Sequence, residues 1–318
     1  MASLPYPLNW LYNHGRVGMA GMPYPPTDCR SYIKINMNTY LNHMNTTEDM
    51  NTRLTKEDQA IIKKARRNKV SGPIYSEDGL RLLKVLGNPE YLEVKDGVKA
   101  ICDDACQGLD NLHEVVLPAS VTDLGTRAFA SCIKLFKITM PGVDFIGIES
   151  FAHCESLKEI ILPETLGKIW EGAFAGCKAL EEINIPSHLK IIDKSAFRNS
   201  GLKSLNIEIS DGGKCLVYDK AFASCKHLES VYLNKNVKIV ERMAFANCTS
   251  LKTIEFEQPS LTCCAGEINA TMLIGCTSLE KIIVPKNKYN HYPDFNIQGY
   301  ESAQFETRDF NSLITPKE

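Results

Sequence analysis

The length and composition of the chain are those of an ordinary folded protein. It has 318 residues, of which 44% are hydrophobic and 23% are charged, and both values are typical of globular domains. The 36 basic and 38 acidic residues leave a formal net charge of −2, so no overall positive field exists to attract nucleic acid. No apolar run reaches the length of a membrane-spanning helix. We therefore expect neither a nucleic-acid partner nor membrane insertion.

Residues 1–70 contain no repeat, and we interpret them as a separate amino-terminal segment. Its clustered prolines favour extended backbone. One helix is predicted at about residues 56–68 because Thr55 can cap its first turn, where Glu57 and Asp58 complement the helix dipole. Basic residues gather near the other end of this helix, which favours the same assignment.

Residues 71–90 are predicted to open the repeat region with a hairpin. Apolar residues alternate with polar ones on both sides of Asp78 and Gly79. An Asp-Gly pair in this setting is a signal for a two-residue type I′ turn.

Residues 91–285 repeat with a period of about 23 residues. A small residue followed by phenylalanine recurs six times, and a cysteine lies three residues further on in five of the copies, with Ser200 in the other. The phenylalanines are Phe129, Phe151, Phe174, Phe197, Phe222 and Phe245, and the cysteines are Cys132, Cys154, Cys177, Cys225 and Cys248. A fixed period of this length indicates stacked repeats. We expect these phenylalanines and cysteines to form the structural core.

Each repeat also carries a short strand that ends at proline. In one copy Leu157, Ile160 and Leu162 precede Pro163, and apolar residues at every second position indicate a strand with one buried face. A unit this short cannot bury its apolar face alone, so neighbouring units must stack. The predicted fold is a right-handed, mainly β solenoid in which the strands form one long parallel sheet, with short turns or helical segments between them.

The repeat unit resembles the BspA-type leucine-rich repeat, whose pattern is roughly L-x-x-I-x-L-P-x-x-V-x-x-I-x-x-x-A-F-x-x-C. The resemblance extends over about residues 72–292 and includes the hairpin, which is similar to one that often opens such arrays. It implies a leucine-rich-repeat fold and a binding role, including roles as bacterial surface adhesins, and it does not imply an enzyme. Residues 286–318 follow the last strand and are predicted to form a carboxyl-terminal cap and tail.

The sequence offers no convincing metal, cofactor or catalytic site. Cys102 and Cys106 are spaced like two zinc ligands, but no second cysteine or histidine pair follows at finger spacing. The cysteines of the repeat are interpreted as buried, unpaired thiols that act as small hydrophobes. We therefore predict no catalytic residue, no metal and no cofactor.

The cysteines and the amino terminus indicate the cellular compartment. Residues 1–12 lack the basic and then apolar layout of a secretory signal, and unpaired thiols suit a reducing compartment. The chain as written is expected in the cytoplasm. The alternative is a secreted or cell-surface protein from which a leader has been removed.

The outward side chains of the strands are the candidate binding surface. They form two columns, from which we select Glu114, Val116, Lys137, Thr139, Glu159, Ile161, Glu182, Asn184, Asn206, Tyr232 and Glu255 as partner-binding residues. Solenoids bind partners on such broad rigid surfaces. The leading hypothesis is a monomeric, non-enzymatic scaffold for a protein or peptide partner. The alternatives are an exported adhesin or host-interaction protein and, third, an enzyme carried on the solenoid.

Overall fold

The structure, a computed structural model, describes residues 52–257, 270–285 and 304–308. Within these ranges the chain is a solenoid of stacked coils with parallel strands and little helix, so the predicted fold class is confirmed. The expectations for residues 1–51 and for most of the carboxyl-terminal segment lie outside the described residues. No helix in the described ranges is long and apolar enough to cross a membrane.

One α-helix precedes the coils. Helix α1 (Lys56–Arg67) begins after Thr55, whose side chain accepts a hydrogen bond from the backbone N–H of Asp58. The Asp58 carboxylate accepts one in return from the Thr55 N–H, so the two residues form a capping box. Asp58 also forms a salt bridge of 2.9 Å with Arg81, and both side chains are largely buried. This ion pair links the helix to the hairpin that follows.

The hairpin consists of two antiparallel strands, β1 (Gly72–Tyr75) and β2 (Arg81–Leu86). Its connection differs from the predicted two-residue type I′ turn. The Gly79 N–H donates to the Ser76 carbonyl at 2.9 Å, and Gly79, but not Asp78, has a positive φ. A type I′ turn needs positive φ at both central residues. The hairpin therefore closes through a longer loop in which glycine alone adopts the left-handed conformation.

The coils place strands on two sides of the solenoid, where the sequence predicted one sheet. The strands of the I-x-L segments form the front sheet, and those of the following segments continue the hairpin into a nine-stranded side sheet. The front strands are β3 (Tyr91–Glu93), β5 (Glu114–Val116), β7 (Lys137–Thr139), β9 (Glu159–Ile160), β12 (Ser204–Ile207), β14 (Ser230–Leu233), β16 (Thr253–Phe256), β17 (Lys281–Pro285) and β18 (Gln304–Arg308). The side strands after β1 and β2 are β4 (Ala100–Ile101), β6 (Asp123–Leu124), β8 (Phe145–Ile146), β10 (Lys168–Ile169), β11 (Ile191–Ile192), β13 (Cys215–Val217) and β15 (Val237–Val240).

The front sheet is interrupted between β9 and β12. In the coil between them, the Asn184 side-chain amide donates to the Leu162 carbonyl at 2.7 Å and accepts from the Leu162 N–H at 2.8 Å. The Asn184 side chain therefore occupies the backbone N–H and carbonyl of Leu162, which would otherwise pair with the backbone of the next strand. The front sheet is consequently four-stranded before the interruption and five-stranded after it.

The six repeated phenylalanines form one continuous stack at the corner of the coils. Neighbouring rings from Phe129 to Phe245 have centroids 5.2–5.6 Å apart and interplanar angles of at most 9°. All six side chains are fully buried. Parallel rings at this separation are offset from one another, which is a favourable aromatic geometry.

The repeated cysteines bind the coils together through their thiols. Each Sγ donates to a backbone carbonyl of the preceding coil, as Cys154 does to Phe129 at 3.1 Å and Cys177 does to Phe151 at 3.2 Å. Cys132 donates to Cys106, which occupies the phenylalanine position of its own coil. The nine cysteines in the described ranges are free thiols, and all are buried. Cysteine suits this position because it is small and still provides a hydrogen-bond donor.

The last strand pairs follow the same parallel pattern. A 3₁₀ helix (Ala270–Leu273) leads into the coil that contains β17, and β17 pairs with β18 in parallel. Strand β18 lies within the segment expected to cap the solenoid, and the remainder of residues 286–318 is not described. The proposed boundaries at residues 70, 90 and 285 stay predictions.

Candidate interaction face

The outward side chains of the front sheet lie in two columns that run from coil to coil. Parallel pairing aligns Glu114 with Lys137 and Val116 with Thr139 before the interruption. After it, pairing aligns Ser204 with Ser230 and Thr253, and Asn206 with Tyr232 and Glu255. We call this surface the front face. It carries nine of the predicted binding residues on or beside its strands, while Glu182 and Asn184 lie in the interruption.

The half of the front face before the interruption carries one ammonium between two carboxylates and is partly apolar. The Lys137 ammonium lies 3.6 Å from the Glu114 carboxylate and 3.8 Å from that of Glu159. Exposed ion pairs of this kind contribute about 0–1 kcal/mol to stability, so their main effect is to cancel charge locally. Next to them the Ile161 side chain is 77% exposed. An apolar side chain this exposed on a rigid sheet is available to a partner.

The half after the interruption contains a shallow groove. Strands β12, β14 and β16 form its floor, and polar side chains line it, among them Ser204, Asn206, Glu208, Ser230, Tyr232, Thr253, Glu255 and Glu257. Three of the lining residues are glutamates and none is basic. We call this feature the acidic groove.

Tyr232 lies at the centre of the acidic groove. Its hydroxyl donates to the Glu257 carboxylate at 2.5 Å, and the Lys235 N–H donates to the same carboxylate at 2.9 Å. Partial burial raises the pKa of Tyr232, and the hydrogen bond to Glu257 and the nearby charges of Glu208 and Glu255 raise it further. The phenol therefore remains neutral and fixed in orientation at physiological pH.

Glu208 and Glu257 were not predicted as site residues, although the sequence contains a signal for them. They occupy the repeat position after the last apolar residue of the front segment, where Pro118, Pro141 and Pro163 stand in earlier coils. Proline lacks an N–H and ends a strand. Where glutamate replaces it, the strand is longer, and the Glu257 N–H continues the ladder by donating to the Leu233 carbonyl at 3.0 Å.

The longer strands explain why the groove lies in the later coils. Strands β5, β7 and β9 have two or three residues, whereas β12, β14 and β16 have four. The loss of proline thus extends the flat surface and, in two of the three coils, adds a carboxylate to its edge. The Asn206 side-chain amide donates to Glu208 at 2.8 Å, which orients that carboxylate.

The front face carries groups for several kinds of non-covalent contact. Carboxylates, hydroxyls and a fixed phenol can accept hydrogen bonds from cationic or polar groups, and Ile161 can contact an apolar group. Within the described part of the chain, no group of three or more histidine, cysteine or acidic side chains is placed to hold a metal ion. Cys102 and Cys106, which are spaced like zinc ligands, are buried free thiols.

A second cluster lies on the side sheet and is structural. The Lys168 ammonium is 2.8 Å from Asp193 and 3.4 Å above the centre of the Trp170 ring, and that ring packs on Phe145 with centroids 5.3 Å apart. Burial lowers the pKa of Lys168, and the carboxylate of Asp193 opposes this effect. Asp193 and Trp170 are buried, and the ion pair links two neighbouring coils.

Comparisons with known proteins agree with the repeat architecture. The family model described as "BspA type Leucine rich repeat region" matches residues 99–212 and 215–305, in six copies. None of the curated proteins compared with the chain matches it significantly.

Solved structures of leucine-rich-repeat proteins are also similar. A leucine-rich cell surface protein from Faecalibacterium prausnitzii has 18% identity and a TM-score of 0.37, covering 76% of this chain and 93% of that one. A leucine-rich-repeat protein from Bacteroides ovatus has 20% identity and a TM-score of 0.39, with 75% of each chain covered. The T. pallidum leucine-rich-repeat protein has 22% identity and a TM-score of 0.41, covering 66% of this chain and 88% of that one.

Proposed function

The chain belongs to the BspA-type leucine-rich repeat family, and from this premise we propose that it is a non-enzymatic, monomeric interaction protein whose front face binds a protein or peptide partner. The observation that carries the proposal is Ile161, a large apolar side chain that is 77% exposed directly after β9, where the front sheet is interrupted. A preformed surface loses little conformational entropy on binding. The aligned columns around Ile161 supply polar groups at a fixed spacing.

The front face is better suited to binding than the other outward surface. On the side sheet the largest aromatic residue, Trp170, is buried beneath Lys168 and beside Phe145. Tyr232, by contrast, lies at the front, half-buried in a groove that is open to solvent. Partially exposed aromatic side chains fixed by a hydrogen bond are frequent anchors of interfaces.

The experiment is affinity capture with the full chain as bait, followed by quantitative mass spectrometry. Ile161→Asp and Tyr232→Ala should each reduce the yield of the specific partner about tenfold or more, because each removes a central contact. The control is Ile274→Asp, which places the same charge at an isoleucine that is 49% exposed at the corner after the 3₁₀ helix. Circular dichroism should show that all three variants are folded. Equal capture by wild type and both front-face variants would contradict the proposal.

We also propose a reducing compartment, the cytoplasm, for this protein, with the cell surface as the alternative. The nine cysteines in the described ranges are all free and buried, including Cys132, Cys154 and Cys177. Free thiols in such number are typical of reducing compartments. Cell fractionation with an antibody to the chain distinguishes the two locations, and recovery at the cell surface would overturn the cytoplasmic one.

A further inference from the structure

The two halves of the front face differ in charge. Before the interruption, Lys137 lies between Glu114 and Glu159 and neutralises part of their charge. After it, the acidic groove brings the charges of Glu208, Glu255 and Glu257 together, with no basic residue among its lining. Tyr232 lies in register with Glu255, and its hydroxyl donates to Glu257. The first half of the face therefore carries one ammonium between two carboxylates beside an exposed isoleucine, and the second half is a groove with three carboxylates.

The carboxylates of the groove differ in their hydrogen-bond partners and in their exposure. Glu257 is held by the Tyr232 hydroxyl and the Lys235 N–H, so it fixes the shape of the groove. Glu208 is exposed and its carboxylate is oriented by the Asn206 amide. Glu255 points outward from β16 beside the Tyr232 ring, in register with it. These two carboxylates line the same groove as the Tyr232 ring, and that combination suits a cation through ion pairing and cation–π attraction.

The distance between the two halves determines how far apart the contacting groups of a ligand must be if it binds both. Ile161 and Tyr232 occupy the same outward column and lie three coils apart. Adjacent strands are separated by about 4.8 Å, so the two side chains are about 14 Å apart along the face. An extended peptide advances about 3.3 Å per residue and covers this distance in about four residues.

We infer that the partner presents an extended basic segment, in which a lysine or arginine enters the acidic groove between Glu208 and Glu255 while an apolar side chain about four residues away contacts Ile161. The inference rests on the proposed function and names the chemistry of the partner at the same face. Charge complementarity selects a cationic peptide because the groove lining is acidic and contains no cation. Arginine fits best, since its guanidinium can bind a carboxylate with two hydrogen bonds and stack on the tyrosine ring.

The test uses a display library of random 12-residue peptides selected on the full chain. Enriched peptides should contain arginine or lysine with an apolar residue about four positions away. Their affinities are then measured by fluorescence anisotropy. Glu208→Gln combined with Glu255→Gln should weaken binding about tenfold or more, and 0.5 M salt should weaken wild-type binding as well, because ionic contacts at the surface are screened.

The matched control removes two carboxylates elsewhere. Glu57→Gln combined with Glu77→Gln changes the net charge by the same amount at exposed positions on the helix and in the hairpin loop, so it separates a local contact from a general electrostatic effect. This variant should bind the selected peptides within about twofold of wild type. An equal loss in both double variants would overturn the inference.

The outcomes also separate this inference from the proposed function. If uncharged peptides are enriched and the Ile161→Asp variant no longer binds them, the inference of a basic segment is overturned. The front face would then still be the binding surface. Peptides whose affinity changes in none of the front-face variants would overturn both. Selection of no peptide at all would likewise count against both.

Discussion

At the corner of the coils, each of the four inner phenylalanine rings lies between the equivalent rings of the coils before and after it. Burying such a side chain contributes roughly 1.5–3 kcal/mol. Phe174 occupies the middle of the stack, with ring centroids 5.3 Å from Phe151 and 5.2 Å from Phe197. Its loss would therefore disturb two coil interfaces at once.

Phe174→Ala should lower the free energy of unfolding by about 3–5 kcal/mol, because it leaves a cavity between two stacked rings. Phe136→Ala is the control, since this phenylalanine is 42% exposed and lies outside the stack; its cost should be below about 1 kcal/mol. Urea unfolding followed by circular dichroism measures both values. A free energy of unfolding for Phe174→Ala within about 1 kcal/mol of wild type would contradict the role of the stack.

Two of the buried thiols, Cys132 and Cys215, should be chemically inert in the folded protein. Burial raises the pKa of Cys132 and of Cys215 to about 12, and alkylation proceeds through the thiolate. Iodoacetamide at pH 8 should therefore leave both residues unlabelled in native protein and label them after denaturation without a reductant. Peptide mapping by mass spectrometry reads out each cysteine. Recovery of these residues as disulfides would refute the interpretation of the cysteines as free thiols.

At the scale of the element, each corner requires two residues in the left-handed conformation. They lie two positions before and two positions after the phenylalanine, as Arg127 and Ser131 do around Phe129. Non-glycine residues fill these positions in most coils, at φ values of 53–62°. The left-handed conformation costs a non-glycine residue about 1–2 kcal/mol relative to the right-handed helical one. Packing and hydrogen bonds therefore hold the corner in a backbone conformation that these residues disfavour.

Gly176→Ala should destabilise the protein by about 1–2 kcal/mol. Gly176 has a φ of +76°, and an added Cβ would lie 2.7 Å from the His153 ring nitrogen Nδ1. Gly167→Ala is the matched control, because a Cβ there meets nothing within 4 Å and the backbone is not left-handed. Thermal unfolding of the two variants measures the difference. Equal melting temperatures would show that the corner tolerates a side chain without strain.

The front strands could be predicted from the sequence because apolar residues alternate and proline marks their ends. Side strands such as β8 (Phe145–Ile146) could not, since two residues contain no alternation from which a strand could be identified. The interruption of the front sheet could not be predicted either, because it depends on the hydrogen bonds of the Asn184 side chain. In the sequence, Asn184 is one more residue of the outward columns.

The candidate site was predictable only in part. Ile161 and Tyr232 follow directly from the outward columns, whereas the carboxylates of Glu208 and Glu257 extend the groove from positions beyond the predicted strand ends. The left-handed backbone conformation at the corners could not be predicted from the sequence. Arginine, serine, glutamate and histidine occupy positions at which glycine would have indicated it.

At the scale of the whole molecule, the described coils combine a uniform interior with a variable front. The phenylalanine stack and the thiols repeat with little change, and they fix the positions of the outward columns. The front face differs from coil to coil, since Lys137 lies between two carboxylates in one half, and Glu208, Glu255 and Glu257 make the other half acidic. We propose that these differences determine which partner binds.

The most direct measurement is hydroxyl-radical footprinting of the full chain with and without a peptide selected from the display library. Oxidation of Ile161 and Tyr232 should fall severalfold in the complex, because the peptide covers both side chains. Ile274, at a corner, and Tyr218, which follows β13 of the side sheet, should be oxidised equally in both states. Protection confined to the side sheet or the corners, with Ile161 and Tyr232 unchanged, would contradict the assignment of the front face as the binding surface.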